Sequence, residues 1–388
     1  MLAVTLNIFM RRVARLFFTL TAVFLAAAPV LAQQAGAPPL DAPVGLFGPT
    51  GQVVLHPLRQ ALLDVSARGV VTRPWLRVER SSAQVWNSTM PLALPNRTIS
   101  THTADGQLES LYLDMGLPVL PWLTLGLRGG VQRFWGGGVM DGLIEDFHAT
   151  FLFYNFDRDK APKGHTELRV EGRNHPSFQW VGPRVLFPSP VLSLFFTLLE
   201  NRTTSLSLRL DWQPPLGDVA KALRLASPEL GVGLSLLRRI LNVAAFHFSL
   251  HALSHAGASL GGLAAQGQLL GQVGLEWRVL PQVSLIMEDR LQSPLFARGP
   301  KLVSSRALGV RSTAFNAYFT PSNIITGGAR LYLPGDSALT LYVGEDFMLC
   351  TECSNARFSR ESNAPDITIA LSFEQMLPSL WSTPRLNR

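Results

Sequence analysis

Several common features are missing from this chain, and each absence excludes a class. Cysteine is nearly absent: Cys350 and Cys353 are the only two in 388 residues. Written CTEC, they most simply close a small loop disulfide in an oxidising envelope. A redox pair would need a strand-to-helix context that is missing, and two thiolates leave a zinc site incomplete. After Ala32 no run reaches the roughly 18 apolar residues of a spanning helix, so any membrane crossing must be made by strands. No phosphate-cradling glycine loop, complete zinc motif or cofactor fingerprint is present, and no cofactor or metal is expected. Charged residues make up only 16% of the chain, and they recur singly rather than in blocks. Once the leader arginines Arg11, Arg12 and Arg15 are removed, 31 of the 34 Lys+Arg face 27 Asp+Glu, a net +4 that is no nucleic-acid signature.

What is present begins with an export signal. Three arginines, an apolar run from Leu16 to Ala28, and Val30 and Ala32 before Gln33 predict a secretory signal peptide over 1–32, cleaved after Ala32. Residues 33–73 read as an N-terminal periplasmic segment whose Leu58, Leu62 and Val65 predict a short helix ending near Gly69.

From residue 74 onward the dominant period is two. Between Gln266 and Gln292, Leu269, Val273, Leu275, Trp277 and Val279 share one face, and Gln268, Gln272, Glu276 and Arg278 share the other. After Leu280, Pro281 and Gln282 the pattern resumes, with Val283, Leu285, Met287 and Leu291 against Ser284, Glu288, Arg290 and Gln292. Two long strands, tightly joined and each with one apolar face, predict a sheet with lipid outside and water inside. The same rhythm runs through residues 74–375 as about twelve strands. Short turns (ENRT, RIL, LPQ, LPGD) alternate with long connections, the asymmetry of outer-membrane barrels. The 136–190 insertion carries a helical stripe, Met140, Leu143, Phe147, Phe151 and Tyr154, followed by HTELRVEGR and FQWVGPRVLF as a small hairpin above the barrel. Residues 376–388 are a tail. A periplasmic β-sandwich would also alternate, but it would not put unbroken apolar sets on nearly every strand opposite Arg, Asp, Glu and Gln.

Candidate functional residues follow from the polar faces. The expected lumen lining includes Arg128, Arg209, Asp211, His247, His251, Gln272, Glu276, Arg278, Glu288, Arg290, Arg330 and Asp346, with Arg77, Glu79, Asp114 and Glu374 on the same face. Mixed signs on facing walls form ion-pair ladders and focus a field without a single-sign filter. In NVAAFHFSLHALSH, His247, Ser249, His251 and His255 share a face, but about 13 Å between His247 and His251 is too far for one shared metal ion. A Ser–His pair resembles that of outer-membrane lipid hydrolases, yet alternation turns Ser249 away from lipid, and catalysis is not expected. Asp141, Glu145 and His148 form the polar side of the insertion helix, a solvated face over the barrel mouth with a gating role as its functional version.

Several stretches resemble a family of uncharacterised Gram-negative envelope proteins, a domain of unknown function regarded as outer-membrane barrels. They are LESLYLDMGL, LTLGLRGG, GGGVMDGLIEDFH, Arg158-Asp159, LLGQVGLEWRVLPQVSLIMEDRLQSPLF, Gly344 to Asp346 and PDITIALSF. The resemblance implies a barrel in the outer membrane and brings no substrate or catalytic residue. The expectation is therefore an all-β, closed antiparallel transmembrane barrel of about twelve strands, with a short loop helix near its mouth. Its expected function is passive passage of a small polar solute. The competing classes are a non-conducting structural or interaction barrel and, less favoured, a lipid-modifying enzyme. The expected partners are outer-membrane lipid and the barrel assembly machinery.

Overall fold

The computed structural model describes residues 73–88, 92–93, 99–136, 142, 164–172, 177–201, 203–225, 227–240, 243–255, 259–260, 263–294, 322–346 and 367–378. The leader, the 33–72 segment, Cys350, Cys353, and Asp141, Glu145 and His148 of the expected insertion helix lie outside them.

Twelve strands form the wall: β1 (Trp75–Ser88), β2 (Ile99–Leu120), β3 (Leu123–Trp135), β4 (Val191–Glu200), β5 (Thr204–Gln213), β6 (Glu229–Ile240), β7 (Ala244–Ser254), β8 (Gln268–Leu280), β9 (Val283–Gln292), β10 (Ser322–Leu333), β11 (Ser337–Asp346) and β12 (Ile367–Met376). Each pairs antiparallel with the next, and β1 pairs with β12 from Trp75↔Met376 to Gln84↔Ile367, so the sheet closes without a main edge. The closure is latched at its foot. Arg73 donates to the Leu377 carbonyl (3.0 Å) and to Asp336 Oδ2 in the β10–β11 turn (2.7 Å), and the Leu377 and Met376 amides donate to the carbonyls of Pro74 and Asp336.

The tight turns follow from their residues. Gly335 and Asp336 take left-handed φ values of 73° and 56°, the conformation glycine and aspartate tolerate best. Asn201 accepts from the amides of Thr203 and Thr204 (2.9 and 2.8 Å), a side-chain-closed turn between β4 and β5.

Period-two alternation fixes what each wall shows. On β8 the outward Leu269, Val273, Leu275, Trp277 and Val279 are exposed, and the inward Gln268, Gln272, Glu276 and Arg278 are buried. Leu111, Leu113 and Leu117 on β2, and Leu125 and Leu127 on β3, continue the apolar outer belt, and Trp122 stacks on Phe196 at 6.2 Å by the turn end. Arg80 and Asp289 interrupt the belt as exposed outward residues. An arginine at Leu275 destabilises the folded barrel by about 2–4 kcal/mol in lipid, the cost of a guanidinium on the lipid face, but has little effect in the unfolded chain. Urea titration in vesicles checks this.

Above the barrel, β2 is 22 residues long, and its outer part pairs with Glu167–Gly172, which pairs in turn with Phe178–Val181. This is the hairpin expected from the sequence. Arg184–Leu186 pairs with the end of β3, whereas β4 rejoins β3 only at Arg128↔Val191. Pro188 and Pro190, which lack an amide to give, lie in the unladdered piece between. There the Phe187 amide turns to Asp218 Oδ2 (2.8 Å), the Asp218 amide to the Phe187 carbonyl (2.9 Å), and the Gly217 amide to Ser189 Oγ (2.9 Å). These bonds hold helix α1 (Asp218–Ala222) within the connection between β5 and β6.

Candidate functional site

The interior is built from the inward residues of all twelve strands. Arg128, Arg209, Asp211, His247, His251, Gln272, Glu276, Arg278, Glu288, Arg290 and Arg330 face it and are buried, as alternation predicts. For Asp346 the backbone alone is described, at the end of β11 opposite Ile324.

Most of these charges are held by partners on the wall. Arg209 donates from Nε to Asp211 Oδ1 (2.6 Å) and from Nη2 to Ser193 Oγ (3.1 Å), and Ser193 donates to the same Asp211 oxygen (2.6 Å). Arg77 pairs with Glu79 two residues along its own strand. Glu276 on β8 accepts from Arg330 Nη1 (2.5 Å) and from the Tyr332 hydroxyl on β10, reaching across the intervening strand, while Arg330 Nε donates to Thr340 Oγ1 (3.1 Å). Gln272 donates to Glu288 (3.0 Å), with His247 Nε2 at 3.5 Å from the other Glu288 oxygen. Near the outer end His255 contacts Glu229 and Gln268, and Gln292 donates to Gln268 (3.0 Å). Such pairings give the polar groups partners and hold them rigid in a partly desolvated space.

Ser249 Oγ is buried without a hydrogen-bond partner, so neither histidine on its strand is placed to take its proton. Among the described residues no cluster of three metal-ligating side chains occurs.

Sequence reading puts His247 and His251 on the inner face but misses the glycines that seat them and the aromatic rings seated in the same way. The Trp75 indole lies over Gly116, its cross-strand partner; the His251 ring lies over Gly233 and the His247 ring over Gly274. Tyr112 lies over Gly130, where an added Cβ would come within 2.7 Å of a ring carbon. Phe195 covers Gly126 diagonally, where an added Cβ would come within 2.7 Å of its ring. A glycine without a side chain lets a cross-strand ring lie flat on the sheet. Guanidinium groups then stack on the rings: Arg128 over Tyr112 (4.6 Å), Arg209 over Phe195 (4.9 Å) and Arg278 over Tyr332 (4.7 Å).

Two apolar clusters bound this polar zone. At the outer end Val219, Ala220 and Leu223 of the α1 loop pack with Ala83, Val85, Leu108 and Phe134 from β1 to β3, and with Leu168, Val170 and Leu186. At the turn end Trp75, Phe195, Leu237, Ala245, Tyr332, Ala338 and Met376 form the second.

A closed antiparallel cylinder, apolar outside and charged inside, with short turns at one end and long connections at the other, is an outer-membrane-type β-barrel. Residues 19–375 match the family described as protein of unknown function (DUF3187), and the chain belongs to that family. No curated protein matches it in sequence. Among solved structures it is similar to an outer-membrane channel from Pseudomonas putida F1, at 11% identity over 79% of this chain and 97% of that one, with a TM-score of 0.44. A Pseudomonas aeruginosa FadL homologue is similar at 8% identity over 83% of this chain and 92% of that one, TM-score 0.37. The P. putida toluene transporter TodX is similar at 10% identity over 79% and 91%, TM-score 0.35. The barrel rests on its own strand pairing and not on these likenesses.

Proposed function

We propose that the protein is exported, inserted in the outer membrane by the barrel assembly machinery, and acts there as a passive channel for a small polar solute. The observation that carries this reading is the interior: charges held on the wall, and rings laid flat over glycines rather than standing across the lumen. Near-balanced signs favour a polar or zwitterionic solute over a highly charged one. The wall side chains are the selectivity surface, and no catalytic step is assigned to them. The purified protein in a planar bilayer gives discrete conductance steps; a silent bilayer at adequate loading overturns the channel reading.

The apolar outer cluster favours a second reading, a barrel closed at rest and anchoring its outer segments. Leu223→Asp puts a carboxylate where Leu223 is 2% exposed, and it drives α1 out of that cluster. If α1 is the closure, this variant raises open probability several-fold over wild type, read in the same bilayer. Unchanged traces in a conducting wild type remove α1 from the permeation path.

A further inference from the structure

Two charges on the outer wall have no counterpart within one barrel. Arg80 on β1 and Asp289 on β9 point outward and are exposed, and among the described residues neither has a hydrogen-bond or ion-pair partner. Leu111 and Leu371 face Arg80 across the flanking strands; Val273 and Ile325 face Asp289, with Met287 and Leu291 beside it on β9. Glu109 stands one diagonal above Arg80, opposite Ser82 at the rim of the belt, and no ion pair joins it to the arginine. A charge among lipid tails is costly, and it persists where it meets a partner or performs a task.

The two charges lie at one depth. The hydrogen-bonded row through Arg80 runs by Leu371, Leu341 and Ala329 to Leu285 on β9. It falls on the way, because Arg80 is five residues beyond the start of β1 at Trp75, and Leu285 only two beyond the start of β9 at Val283. With strands tilted by about 40° and about 4.8 Å apart, four steps lower the row by about 12 Å, and the four residues from Leu285 up to Asp289 regain about 10 Å. Copies inserted by one route share one orientation, so Arg80 meets only groups at its own depth on a neighbour. Asp289 is there, with the opposite sign. We propose that this wall is a contact between copies of the chain, with Arg80 of one barrel paired to Asp289 of the next. The residues are four strands of twelve apart, about a third of the circumference. A twofold contact midway between them holds each charge out of reach of its mate, and one centred on either opposes like charges. Head-to-tail association satisfies both and, with every copy upright, closes into a ring of at most about six. The pairing needs the barrel in a membrane and does not need its lumen to conduct.

The test uses the full-length protein in isolated outer membranes, with Cys350→Ser and Cys353→Ser so that introduced thiols are the only ones. Arg80→Cys and Asp289→Cys together, oxidised with copper phenanthroline, give a disulfide ladder of dimers and higher multiples on non-reducing gels. Either cysteine alone gives none, and Arg80→Cys with Leu285→Cys, about 10 Å apart in depth, gives about tenfold less. Absence of a ladder from the Arg80 and Asp289 pair overturns the proposal, as do equal dimers from a single cysteine, which mark random collision or a twofold contact. Native gels in mild detergent read the charges themselves: Arg80→Gln and Asp289→Asn each reduce the oligomer about tenfold, and the exchange of Arg80→Asp with Asp289→Arg recovers it. An oligomer unchanged in both single variants overturns the pairing. If the cysteine-free chain loses its boiling-dependent gel shift, the native gels decide alone. A monomeric barrel that conducts overturns the contact and keeps the channel; a ring that is silent in the bilayer does the reverse. A chain recovered outside the membrane overturns both.

Discussion

Replacing Gly116 by alanine lowers the stability of the folded barrel by about 3 kcal/mol, the upper range for forcing atoms into a packed interior. The added Cβ would stand inside the indole of Trp75, which is 3% exposed and packed with Met376 and Tyr332, so the ring has nowhere to retreat. The readout is the temperature at which the fast, unboiled gel band converts to the unfolded one. Trp75→Ala alone also destabilises, by about 3–5 kcal/mol, through lost burial and a cavity. The informative variant is the double: once the ring is gone, Gly116→Ala costs almost nothing further, so the two changes are strongly non-additive. Additive costs would show that Gly116 matters for its backbone rather than for seating the ring. Gly129, where an added Cβ meets nothing within 4 Å, is the tolerant control.

Glu276→Leu is the second large effect. The carboxylate holds the Arg330 guanidinium and the Tyr332 hydroxyl together, with Arg330 and Glu276 side chains 4% and 1% exposed. Removing it takes the nearest counter-charge from a buried cation and the acceptor from a phenol, at about 3–5 kcal/mol. Glu276→Leu combined with Arg330→Met replaces the pair by apolar volume and recovers most of that loss, because the desolvation of both charges is also removed. Tyr332→Phe costs only about 1 kcal/mol, one hydrogen bond. A double variant as unstable as Glu276→Leu would mean that the glutamate supports packing and not charge. Conductance separates structure from passage: the double variant folds, and its loss of two wall charges alters ion selectivity if the lumen conducts.

Much of this architecture can be read along the chain because lipid and water impose opposite demands on alternate residues. The run from Gln268 to Val279 needs no partner strand to declare its two faces, and both faces lie as alternation requires. Turns such as Pro334 to Asp336 are legible for a similar local reason: glycine and aspartate accept the left-handed backbone. Information stored between strands is not legible in this way. That Gly274 seats His247, or Gly233 seats His251, depends on register, and a glycine within a strand gives no sign of which ring will cover it. Helix α1, at five residues, is too short to show a 3.6-residue period, and its position is set by Pro188, Pro190 and bonds to Phe187 and Ser189. Tyr112 and Tyr332 read as ordinary strand aromatics until their hydroxyls are found on Gln132 and Glu276. Arg80 and Asp289 keep the alternation but put charge in the apolar belt, and nothing within one barrel explains them.

The latch at the foot of the closing pair bears on time rather than on shape. Arg73 and Leu377 are 304 residues apart in sequence, and Arg73 and Asp336 are 263 apart, so these bonds form only when the two ends of the wall have met. Bringing such distant segments together is the slow, entropically costly step of folding a closed sheet. Contacts made only after that step belong to the finished cylinder and not to its transition state, so they slow opening without hastening closure. One arginine before the first strand thus lengthens the lifetime of the barrel, and its loss would show as faster unfolding with an unchanged rate of assembly.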